Sequence, residues 1–65
     1  MVRRDKRMIG REVEIISGGL WTGQRGIVKG FRGNDTPGVP HVNVWLFKQG
    51  SIMPIKGTNL RLVKA

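Results

Sequence analysis

Nine of the ten glycines and all three prolines of this 65-residue chain follow Arg11, and they cut the remainder into short runs, which argues against any helix longer than a turn. Glycine costs a helix interior about 1 kcal/mol relative to alanine, and proline about 3 kcal/mol. The short runs between them are rich in Val, Ile, Trp and Phe, which suit a pleated strand. An all-β chain is expected. A chain this short is one domain that buries only about 60% of its unfolded surface. With no cysteine and a single histidine, neither disulfides nor a Cys/His metal site can brace it.

The runs themselves carry strand periodicity. Residues 12–17 alternate, with Val13 and Ile15 on one face and Glu12 and Glu14 on the other. Residues 18–23 read as a glycine-rich loop with Trp21 at its tip. Residues 26–32 read as a bent strand, in which Val28 and Phe31 are three apart and a bulge at Gly30 returns both to one face. Residues 33–38 form the longest loop. Residues 41–47 alternate most cleanly, with Val42, Val44 and Leu46 on one face and His41, Asn43, Trp45 and Phe47 on the other. The pattern leaves open which face is inside; if it is the aliphatic one, Trp45 and Phe47 are on the outer surface.

Lys48, Gln49 and Gly50 make a hairpin turn into residues 51–55, a strand that Pro54 assigns to a sheet edge because it lacks an N–H. Residues 56–60 are expected as a 3₁₀ turn, and residues 61–64 as a last strand with Leu62 or Val63 turned inward. The expected architecture is a small five-stranded barrel, with that 3₁₀ turn before its last strand, over residues 10–65. Residues 1–9, basic and poor in apolar side chains, read as a flexible arm.

Charge narrows the function. Twelve Lys and Arg against four Asp and Glu give +8, and residues 1–11 alone hold five basic residues and one acid. Such a balance implies anionic partners, nucleic acid first, because each phosphate gripped by Lys or Arg releases condensed counterions. A membrane surface is disfavoured, since there is no basic amphipathic helix and no apolar run near ~18 residues. No apolar stretch follows the basic start, so no signal peptide is expected and a cytoplasmic location is.

The binding residues expected on these grounds are Arg3, Arg4, Lys6, Arg7, Arg11, Arg25, Lys29 and Arg32, with Trp21 stacking on an unpaired base. Trp21 equally suits a loop tryptophan folded back to cap a small core. Trp45 and Phe47 suit a structural or protein-contact role better than stacking. No catalytic residues, cofactor, metal or small-molecule substrate are expected. His41 has no second ligand nearby, and Glu12 with Glu14, flanked by Arg11 and Arg25, reads as surface ion pairing. The loop of residues 18–26 lacks the GK[ST] ending and the following helix of a nucleotide-binding loop.

The stretch VEIISGGLWTGQRGIVKGF resembles the KOW motif, the strand-loop-strand element of SH3-like barrels in ribosomal large-subunit proteins and in transcription elongation and antitermination factors. The closing IMPIKGTNLRLV is similar to the end of such barrels, and the resemblance covers roughly residues 10–64. By it, Val13, Ile15 and Val28 match core positions and Gly23 and Gly26 match turn glycines. The loop between Ser17-Gly18 and Gly23 holds one residue more than is usual, which shifts its tip. The resemblance implies a monomeric, non-catalytic module that binds RNA or DNA, or a ribonucleoprotein. The alternative it leaves is a protein-docking subunit on RNA polymerase or another large complex, because fold alone does not decide function.

Overall fold

The computed structural model describes residues 2–3, 5–32 and 41–63. The chain is all-β: strands β1 (Glu12–Ile15), β2 (Arg25–Phe31), β3 (His41–Leu46), β4 (Ser51–Lys56) and β5 (Leu60–Leu62) form one antiparallel sheet in the order β4-β3-β2-β1-β5. One 3₁₀ turn, Gly57–Asn59, precedes the last strand as expected, and another spans Lys6–Met8. The arrangement fits a small barrel. The loop expected at residues 33–38 lies outside the described residues.

One face of the bent sheet supplies most of the described core. Val13 and Ile15 from β1, Val28 from β2, Val42, Val44 and Leu46 from β3, Ile55 from β4 and Leu60 from β5 are buried in one cluster with Val2. The aliphatic side of β3 is therefore inside, and Trp45 is turned outward. The bulge falls where the spacing of Val28 and Phe31 places it: the register shifts between Val28 and Gly30, so that Val28 faces Val44 and Phe31 faces Val42. β4 is an edge strand, which accommodates Pro54.

Three expectations need correction. Residues 1–9 are not a free tail among the described positions. Val2 is buried, its N–H donates to Gly57 O at 2.9 Å, and Met8 packs on the core. A barrel this short of apolar volume recruits a lone valine that no sequence periodicity marks. The last strand also begins earlier than expected, at Leu60, which faces Ile15 and is fully buried, while Leu62 faces Val13. The expected final residue of that strand, Lys64, lies outside the described residues. Finally, Gly23 lies in the loop turn, but Gly26 is a buried residue of β2 rather than a turn glycine.

Gly26 is demanded by contact. It lies between Val13 and Leu46 in register, and a Cβ there would overlap Trp45 O and stand 2.7 Å from Val44 Cγ1. A Cβ at Gly30 would meet nothing within 4 Å. Gly26→Ala is therefore expected to cost about 1–3 kcal/mol by overpacking, and Gly30→Ala to stay within about 0.5 kcal/mol. Leu60→Ala is expected to cost about 2–5 kcal/mol. Urea denaturation of the three variants checks the order.

Candidate nucleic-acid interface

With the aliphatic side chains inside, alternation fixes what β2, β3 and β4 present to solvent. Ile27 faces Trp45, which faces Ile52; Gly30 faces Asn43, which faces Pro54; and His41 faces Lys56. Opposed side chains of an antiparallel pair have Cβ atoms about 4.5–5.5 Å apart, so these are contact rows. Trp45 is 38% exposed, and Phe47 and Ile52 are each 52% exposed.

Cations flank this aromatic centre. Phe47 N–H donates to Arg25 O at 3.1 Å and Arg32 N–H donates to His41 O at 2.8 Å, which sets Arg25 at the Phe47 end of the face and Arg32 at the His41 end. Lys29 is exposed at the bulge, and Lys56 is exposed on β4 beside His41. No acidic residue occurs in β2, β3 or β4.

The described acids lie on β1 and the N-terminal segment, Glu12 standing opposite Ile27 at the border of this face, and each is paired. Glu12 meets Arg25 at 3.7 Å, Glu14 Oε1 accepts from Arg61 Nε at 2.8 Å, and Asp5 meets Arg7 at 2.9 Å. The two glutamates do form surface ion pairs, but Glu14 takes Arg61, which is 47 residues away and came opposite it only through the β1–β5 register. Such exposed pairs contribute about 0–1 kcal/mol, so Arg25 can exchange Glu12 for a phosphate at little cost.

The expected binding residues thus fall into three places. Arg25 begins β2 and Arg32 follows it, at opposite ends of the aromatic face, and Lys29 is exposed at the bulge between them. Arg3, Lys6, Arg7 and Arg11 belong to the N-terminal segment, exposed, with Arg7 engaged by Asp5. Arg4 lies outside the described residues. Trp21 is not at the loop tip: Leu20, 97% exposed, occupies it, and Trp21 is half-buried against the core. Lys56, Trp45 and Phe47 join the site although the first was not expected there and the aromatics were read mainly as structural. The signal for all three was the parity of strands 41–47 and 51–56, which becomes informative only once the inner face is known.

No protein-family model matches the chain, and neither a curated protein nor a solved structure does. Among the described residues, no helix is long and apolar enough to cross a membrane.

Asp5 shows how local chemistry limits the arm's charge. Its carboxylate caps the Lys6–Met8 turn by accepting from Arg7 N–H at 2.9 Å and also from the Arg7 guanidinium at 2.9 Å. These hydrogen bonds hold its pKa below the ordinary 3.8. Because the folded value is the lower one, the cap's contribution is present above 3.8 and is lost as pH falls through the depressed value. An NMR titration of the Asp5 carboxyl is expected to show a midpoint below 3.8 that returns toward it in Arg7→Ala.

Proposed function

We propose that the chain is a non-catalytic RNA-binding module of the KOW, SH3-like type, acting on RNA or a ribonucleoprotein. It grips phosphates with Arg25, Lys29, Arg32 and Lys56 and stacks unpaired bases on Trp45 and Phe47. The observation that carries this reading is the composition of the outer face of β2 to β4: aromatic at its centre, cationic at both ends and free of carboxylates. Stacking contributes about 1–3 kcal/mol per base, and phosphate contacts add sequence-independent affinity. The resemblance to KOW barrels and the net charge of +8 support the same partner class. The cations Arg3, Lys6 and Arg11 extend the attraction beyond this face, and DNA can use the same phosphate contacts.

The aliphatic flanks favour a second reading. Ile27 and Ile52 stand on either side of Trp45, giving the apolar centre and charged rim of a protein contact. On that reading the module docks onto RNA polymerase or another large complex.

Fluorescence anisotropy with a single-stranded RNA, a duplex DNA and heparin separates them. About four neutralised phosphates give a log–log salt slope near −3, roughly a fiftyfold loss between ~50 and ~200 mM. Trp45→Ala is expected to weaken RNA binding about 5- to 150-fold at an unchanged slope. Gly30→Glu puts a carboxylate on the face from a position where an added Cβ meets nothing; it is expected to lower RNA affinity without lowering the melting temperature. Weak binding to every polyanion, indifferent to both substitutions, favours the docking reading.

A further inference from the structure

The groove beside Trp21 lies at the end of the face just described. It is a cavity of about 320 Å³ whose lining includes Ser17, Trp21, His41, Lys56 and Asn59 and reaches the core residues Ile15 and Ile55. That volume is at the lower end of small-molecule sites, roughly 300–1,000 Å³. A second concavity of about 340 Å³, formed with Gly18, Gly19 and Leu20, lies against the same tryptophan. The indole therefore both packs on the core and walls two open spaces.

The polar groups of the groove are held in place. Ser17 Oγ donates to Asn59 Oδ1 at 2.9 Å, and Ile16 N–H donates to Asn59 O at 2.8 Å. Gly18 has φ +107°, and a Cβ there would stand 2.8 Å from Asn59 Nδ2, so only glycine lets the loop close over this amide. Asn59 Oδ1 thus accepts from Ser17, which leaves Nδ2 as the donor atom of the amide. Among the described residues no carboxylate lines the groove, and Lys56 brings a positive charge to it.

We infer that this groove is a pocket for one unpaired nucleobase of a bound RNA. The base stacks on Trp21, an acceptor on its edge takes a hydrogen bond from Asn59 Nδ2, and its phosphate lies against Lys56. An aromatic wall, a fixed amide donor and an ammonium group suit an aromatic ligand that carries an anion, as a nucleotide does. The place of the groove supports the same ligand. His41 and Lys56 belong both to the groove and to the outward rows of β3 and β4, and Trp45 lies four residues from His41 along β3, roughly 14 Å. One strand can therefore cross Trp45 and end in the groove. This inference rests on the RNA-binding reading and adds a second, separate stacking site to it.

The test follows the intact ¹⁵N-labelled chain by NMR while an unstructured RNA of about eight nucleotides is added. The expected result is movement of both tryptophan indole N–H signals and of the Asn59 side-chain amide, with contacts from base protons to the Trp21 ring. Trp21→Leu should weaken binding roughly 5- to 150-fold without changing the salt slope, and Lys56→Ala should reduce the slope by about 0.7, one phosphate's worth. Lys56 is exposed, so that variant does not depend on the core. If RNA binds with shifts at Trp45 and Phe47 but none at Trp21 or Asn59, the pocket is overturned while the RNA-binding reading stands. If no RNA binds, and an acidic peptide moves the Trp21 signal, both fall.

Discussion

At Gly26 the backbones of β2 and β3 come so close that a single methyl group would overlap the Trp45 carbonyl oxygen. That approach occurs at the centre of the sheet, where Val13, Gly26 and Leu46 lie side by side across three strands. Because side chains alternate with a period of two, a slip of one residue there would send Val42, Val44 and Leu46 outward and bring Trp45 into a space filled by aliphatics. The outward row of Ile27, Trp45 and Ile52 is the other side of this constraint. The bulge before Gly30 works in the same direction, since it keeps Val28 and Phe31 on the inner face while leaving an open position beside Asn43.

The same geometry divides the charge. The described acids sit on the N-terminal segment and on β1, where Arg7, Arg25 and Arg61 answer them. β2 to β4 carry cations and aromatics without an acid. A net charge of +8 on so small a body disfavours the compact state through self-repulsion. Phosphates bound along the acid-free face would relieve that repulsion, which couples binding to stability, since a ligand that binds only the folded chain stabilises it.

The strands, the bulge and the edge position of β4 were legible because each rests on a local rule: alternation, spacing around a glycine, a proline without an N–H. Val2 and Leu60 were not. Leu60 stands between Asn59 and Arg61 and Val2 falls in a basic segment without strand alternation, and each is buried because the chain closes on itself between the Gly57–Asn59 turn and β1. Of the residues expected to bind, Arg25 and Arg32 lie at the two ends of the outward face of β2 and β3. Trp21 was read equally as a stacking side chain at the loop tip and as a core cap; it packs on the core and walls a groove, because the loop folds onto Asn59 through contacts more than 40 residues away in sequence.

The sequence by itself therefore determined the all-β character, the excess of positive charge and the two alternative faces of residues 41–47. Those properties depend on composition and on a period of two, which short windows of sequence display. Tertiary structure alone decided which of those faces is buried, which arginine answers Glu14 and where Trp21 lies. Each of these depends on residues brought together across the sheet, at sequence separations that no local pattern encodes.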